Sequence, residues 1–184
     1  ARRAVWSSGS VIARLQRARV VGVAGGAEKC RHAVEELGFD ACLDRHAPGL
    51  AARLAEACPD GIDVYFDLTG GDVLTAVLPL LNPFARIPVC GTIASTNAAA
   101  TLSGPDRLPG FMRLILTRHL LVRGFIVDDF SADTAEFETA MARWLADGSI
   151  RYREDVSQGL DSMVPAFIGM LEGRNFGKTL VRLG

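Results

Sequence analysis

Few residues in this chain stand where they could do chemistry. Asp128 and Asp129 follow the apolar run RGFIV, and the C-terminal end of a strand is where open α/β sheets hold their ligands. They read either as solvated loop carboxylates or as groups facing a substrate. Thr69, Thr96, Asp128 and Asn175 are the polar candidates for a catalytic role. Hydroxyl and amide donors of this kind can hold a reactive molecule near its reacting shape. Other chemistries are absent from the pattern. There is no GxSxG elbow. His32, His46 and His119 are isolated and no HExxH or paired-histidine spacing exists, so no metal is expected. None of the cysteines Cys30, Cys42, Cys58 and Cys90 forms a CxxC pair, and they read as free thiols of a reducing, cytoplasmic setting.

The elements that must position these groups alternate. RVVGVAG (19–25) is β-branched, apolar and closed by glycine, the pattern of a buried parallel strand. Helical spacing follows in 27–39, with Ala33, Val34 and Leu37 as its stripe and Gly38 as its stop. Then come a strand at 41–44, a helix at 50–61, a strand at 62–71, a helix at 73–83 and a strand at 85–93. A helix and the strand VRGFIV fill 110–127, and a helix covers 133–149, with Ala135, Phe137, Met141, Trp144 and Leu145 on its apolar side. Strand–helix alternation predicts an α/β fold, a Rossmann-like parallel sheet with helices on both faces. Phe125, Phe130, Trp144 and Phe167 are expected in the core. The expected division is a Rossmann-like domain over 1–149 and a small C-terminal segment over 150–184, extended, helical, then extended again.

Composition narrows the partners. The 184 residues carry a net charge of −1 and are 49% hydrophobic. That suits a folded domain with no nucleic-acid partner. Neither a signal peptide nor a membrane-length apolar run is present. Lys29 and Lys178 are the lysines of the chain.

The quoted stretches ARVVGVAGGAEKCRHAVEELGFDACLD (18–44), DGIDVYFDLTGGDVL (60–74), FARIPVCGTI (84–93) and GRNFGKTLV (173–181) resemble, in order, the zinc-independent medium-chain dehydrogenase/reductases of the prostaglandin reductase and alkenal double-bond reductase family. The resemblance runs from about residue 8 to the C-terminus and lacks the family's N-terminal catalytic domain. It implies NADPH-dependent reduction of an activated C=C bond and a homodimer. It also implies cofactor contacts at Gly9, Lys29, Arg45, Asn175 and Lys178. Lys29 would pair with a 2′-phosphate, or else is a solvated residue of a first helical turn. The strand 19–25 ends in Gly25–Gly26 rather than in an acid that would bind a ribose 2′-OH, which favours NADP over NAD.

Three departures point the other way. AVWSSGSVIARL (4–15) should carry the glycine-rich phosphate turn, yet holds Gly9 alone and places Trp6 on the turn's first glycine. The turn is thus degenerate, its helix is expected to be short by nearly one turn, and the first strand is reduced to at most RRAVW (2–6). Leu68 stands where the family has a cofactor-facing Asn, and Thr96 where it has Tyr. From these departures the leading expectation is a repurposed domain with no cofactor. It would catalyse a redox-neutral cyclisation or isomerisation of an apolar secondary-metabolite intermediate, as in polyketide biosynthesis. Its groove would be lined by Trp6, Leu68, Thr92, Thr96, Phe125, Val127 and Asp128. The alternatives are an NADPH-dependent enone reductase and a non-catalytic dimerising or binding module. If Trp6 fills the phosphate site, Trp6→Gly raises dinucleotide affinity in a titration; no gain places Trp6 elsewhere.

Overall fold

The computed structural model describes residues 2–92 and 106–183, with the backbone alone for 2–8. The chain forms two compact units, residues 1–46 with 135–184, and residues 47–134. Each is α/β, and every strand pair in it is parallel.

The first unit opens with α1 (Arg2–Leu15), followed by β1 (Val21–Ala24), α2 (Ala27–Glu35) and β2 (Ala41–Asp44). β1 pairs with β2 from Val21↔Ala41 to Ala24↔Asp44. α2 is the crossover that a parallel pair requires. The unit continues with α6 (Thr134–Ala146), β6 (Glu154–Gln158), α7 (Met163–Leu171) and β7 (Lys178–Arg182). β6 and β7 form a second parallel pair, Glu154↔Lys178 to Gln158↔Arg182. The core gathers Val11, Val20, Ala33, Leu37, Phe39 and Ile150, with Ile12, Leu15, Met141 and Trp144 packed against it.

The second unit holds α3 (Leu50–Ala57), β3 (Ile62–Val64), α4 (Gly71–Val77), β4 (Leu81–Val89), α5 (Leu108–Arg118) and β5 (Leu121–Gly124). Its sheet runs β3–β4–β5. Leu81 and Ile87 on the middle strand are fully buried, and Arg118 Nη1 donates to the Leu81 carbonyl at 2.7 Å.

Several expectations need correction. Residues 2–6 are not a strand and 4–15 hold no turn: both lie in the 14-residue helix α1. Its described part shows why, since Val11 is buried and Leu15, four residues on, packs on the same core. α1 closes in a Schellman motif, with Ala18 N–H donating to Ala13 O and Arg17 N–H to Arg14 O. The helix expected to 83 ends at Val77 and passes through a single 3₁₀ turn at Leu78–Leu80, which carries Pro79. The strand starts at Leu81 because that residue is buried in the sheet. Val34, Phe130 and Phe167 are exposed rather than core, and so are Phe137 and Leu145 of α6, whose Met141 and Trp144 alone reach the core cluster. Among the described residues no helix is long and apolar enough to cross a membrane.

Arg17 sits at φ 64°, the left-handed position of the Schellman motif that glycine normally fills. Arg17→Gly is expected to raise the unfolding free energy by about 1 kcal/mol. Thermal melts followed by circular dichroism check this, and a lower melting point would refute it.

Candidate functional site

In the first unit the geometry centres on the turn from β1 into α2. Gly26, at φ 96°, precedes the first residue of the helix. Its N–H donates to Asp44 Oδ1 at 2.8 Å, and the same oxygen accepts His46 N–H at 3.0 Å. Asp44, at the end of the neighbouring strand, therefore fixes both the helix start and the loop that carries Arg45 and His46. That loop folds back over Gly25: a Cβ there would lie 2.9 Å from His46 Nε2 and 3.3 Å from Arg45 Nε. Glycine at 25 is a close-approach requirement. Above Gly26, by contrast, a Cβ would meet nothing within 4 Å. A guanidinium, an imidazole and open space thus meet beside a helix N-terminus, a donor set that suits a phosphate on a ribose.

Lys29, one turn into α2, donates from Nζ to the Gly173 carbonyl at 2.6 Å. It is half-buried and tied to the C-terminal segment, which removes the reading as a merely solvated residue. Asn175 is 8% exposed, with Nδ2 donating to Gly177 O at 3.0 Å. It lines a cavity of about 290 Å³ between β6, α7 and β7, together with Asp155, Ser157, Arg174 and Thr179. Lys178 is exposed at the start of β7. Gly9 lies on an exposed part of α1, where a Cβ would meet nothing within 4 Å. Trp6 is on α1, and its side chain lies outside the described residues.

In the second unit three strands end together. Asp67 bridges to Val89, and Val89 pairs with Gly124. This brings Leu68–Thr69, Thr92 and Phe125–Asp128 to the C-terminal edge of one parallel sheet. Leu68, Thr69 and Phe125 are half-buried, while Thr92, Val127 and Asp128 are exposed. Phe125 meets Phe66 and Phe130 edge-on at 6.1 and 5.5 Å. Asp129 turns back on its own loop to accept Ile126 N–H at 3.0 Å, so the two adjacent carboxylates are not equivalent. Thr96 lies outside the described residues.

The sequence assigns no role to Asp44, Tyr65 or Asp67, and His46 is expected only as an isolated histidine. Asp67 is 2% exposed. Its Oδ1 accepts Tyr65 OH at 3.0 Å, Thr69 N–H at 3.0 Å and Gly70 N–H at 2.7 Å. An Asp shortly before a glycine pair is a recognisable turn signal, and FDLTGG carries it. The carboxylate holds Thr69 at the strand end. Burial first, then the Asp67 charge, raise the Tyr65 phenol above its ordinary value of 10.0. Burial and the Cys30 hydrogen bond likewise push the Cys42 thiol up, so it is kept as a thiol and not as a nucleophile.

Comparison with known proteins follows this geometry. Residues 10–147 match the family model described as zinc-binding dehydrogenase, and the chain belongs to that family. It is 51% identical over 173 residues to the NADPH-dependent curcumin reductase of Escherichia coli K12, covering 94% of this chain and 50% of that protein. It is 36% identical over 181 residues to prostaglandin reductase 1 of Rattus norvegicus, covering 97% and 54%. The crystal structure of CurA from Vibrio vulnificus in complex with NADPH superimposes with TM-score 0.94 at 47% identity, covering 98% of this chain and 54% of that one. The chain spans about half the length of the curated relatives it matches.

These findings bear out the family resemblance and the Rossmann-like α/β class. They overturn the leading functional expectation. One similar protein is named an NADPH-dependent reductase, and a similar structure was solved in complex with NADPH. A cofactor-free domain running a cyclisation or isomerisation is therefore the wrong reading, and a polyketide pathway finds no support. The zinc in the family's description does not fit these residues, since among those described no three His, Cys, Asp or Glu side chains converge to hold a metal.

Because the fold binds the Tyr65 proton more tightly than the unfolded chain does, its stabilisation is complete below about pH 10 and is lost as pH rises further. Unfolding by urea at about pH 8 and about pH 11 should show wild type losing more stability than Tyr65→Phe. Equal losses would detach Tyr65 from the alkaline slope.

Proposed function

We propose that this chain carries the NADP(H)-holding part of an oxidoreductase that reduces an activated C=C bond in a small, apolar molecule. Bound NADPH would supply the hydride for such a reduction, with a proton completing the second carbon. The observation that carries the reading is the turn at Gly25–Gly26. It has no acid at the end of β1 to claim a ribose hydroxyl, and the Arg45 guanidinium and His46 imidazole lie over Gly25. Arg45 would meet the 2′-phosphate, in two bonds where its fork allows, and Lys29 would add a second cation. Similarity to a reductase named for NADPH and to a structure solved with NADPH supports the same assignment.

Asn175 and Lys178 are further proposed cofactor contacts, and Gly9 gives a phosphate room on α1. Thr69, Thr96 and Asp128 are the proposed polar groups toward substrate, with Leu68, Thr92, Phe125 and Val127 as apolar ones. The division at residue 150, read from the change of rhythm along the chain, and the homodimer, drawn from the family resemblance, belong to this proposal. The apolar character expected of the substrate agrees with the curcumin in one relative's name.

Titration of the chain with NADPH, followed by cofactor fluorescence, tests the reading. Binding is expected, with NADH weaker. Arg45→Ala should weaken NADPH about tenfold while leaving NADH nearly unchanged, the loss of one charge-assisted contact to the 2′-phosphate. Absence of binding at millimolar NADPH would overturn it.

A further inference from the structure

Resting on the NADP(H) reading above, we propose that the tail segment 173–178 positions Lys29 for the 2′-phosphate, so that Phe176 and His32 set the preference for a phosphorylated ribose through Lys29. A lysine ammonium ends a flexible four-carbon stem, and much of its rotamer freedom is lost when it must meet a fixed anion. Here part of that ordering is done beforehand. Gly173 O accepts from Nζ at 2.6 Å. The bond uses one of the three donors an ammonium has, and it fixes where the group lies.

The Gly173 carbonyl can do this only if its segment is held, and three contacts hold it. The Arg153 guanidinium lies over the Phe176 ring, 4.1 Å from its centroid. The His32 ring meets Phe176 edge-on at 5.1 Å and 78°. Phe176 N–H donates to Asp155 Oδ2 at 3.2 Å. Beyond Phe176 the segment lies against the strand side, since Lys178 N–H donates to Arg153 O at 2.8 Å and a Cβ on Gly177 would collide with that carbonyl. Lys29 and His32 are three residues apart on α2 and so share a face. One face of the helix that starts at the Gly25–Gly26 turn therefore grips the tail twice, through a cation and through an aromatic edge. Phe176 is a positioning residue here.

The probes are 2′,5′-ADP and 5′-AMP, which differ by the phosphate alone. Their affinities for the 184-residue chain are measured by calorimetry in wild type, Lys29→Ala, His32→Ala, Phe176→Ala and the two double variants that combine Lys29→Ala with each of the others. Circular dichroism confirms that each variant folds. Lys29→Ala should cut the preference for 2′,5′-ADP about tenfold. Phe176→Ala should cut it about threefold to fivefold, and His32→Ala somewhat less, as the price of ordering one long side chain at binding. Neither should cut it further once Lys29 is gone, and 5′-AMP affinity should hold throughout. If Phe176→Ala does not fold, His32→Ala with its double variant completes the cycle. An unchanged preference in the tail variants, or a loss that adds in full to that of Lys29→Ala, overturns the positioning role and leaves the NADP(H) reading intact. A wild-type chain that binds neither nucleotide overturns both.

Discussion

A parallel βα unit can present a ligand only if the turn from strand to helix is held, and in both units a strand-end carboxylate holds it. Asp44 reaches from β2 to the Gly26 N–H at the start of α2. Asp67 turns back on the N–H groups of Thr69 and Gly70 ahead of α4. Glycine pairs at these turns provide positive φ, at 96° for Gly26 and 66° for Gly70, but such backbone is cheap to deform. A charge-assisted bond of the kind each carboxylate makes contributes about 1.5–3 kcal/mol, enough to select one geometry of a flexible turn. Around the two fixed turns are grouped most of the residues with a chemical role proposed above.

Fixing a helix start with a carboxylate has an electrostatic consequence at Gly26. The N-terminal end of α2 already has an anion against it, so its dipole is partly answered within the chain. An incoming phosphate must then be held chiefly by side-chain cations, and two stand close by in sequence, Arg45 one residue after Asp44 and Lys29 three residues after Gly26. This is a different solution from the glycine-rich turn that cradles pyrophosphate with backbone N–H groups. On the NADP(H) proposal, recognition of a 2′-phosphate would then not depend on residues 4–15.

Much of the fold was legible in the sequence because strand and helix periods differ so clearly. RVVGVAG and ACLD contain β1 and β2, the stretch 133–149 contains α6, and the tail's extended–helical–extended rhythm became β6, α7 and β7. Less was legible where burial overrode local pattern. Leu81 and Asn82 look like the end of a helix, yet Leu81 is 0% exposed in the middle strand of its sheet, a fact set by tertiary neighbours rather than by residue type. The site was partly legible. Arg45 and Lys29 could be picked out by charge and position. The Lys29–Gly173 bond joins residues 144 apart, and no local pattern encodes it. Asp67 was within reach of a turn rule but was overshadowed by the glycines beside it.

The error in the functional reading has a physical root as well. The expectation of no cofactor rests on Trp6, Leu68 and Thr96 together, and its first part rests on the premise that residues 4–15 make a turn. They make a helix whose described residues Val11 and Leu15 face the core, so the premise fails before any question of phosphate contact arises. Even a real loss at that turn would remove only a few contacts from a ligand whose binding is the sum of many. The groups proposed to distinguish a 2′-phosphate lie at Gly25, Lys29 and Arg45, well along the chain from Trp6. Binding capacity is a property of such distributed sets, and a single degenerate motif position weighs less than the retention of the cations and the fixed turn that serve the other end of the cofactor.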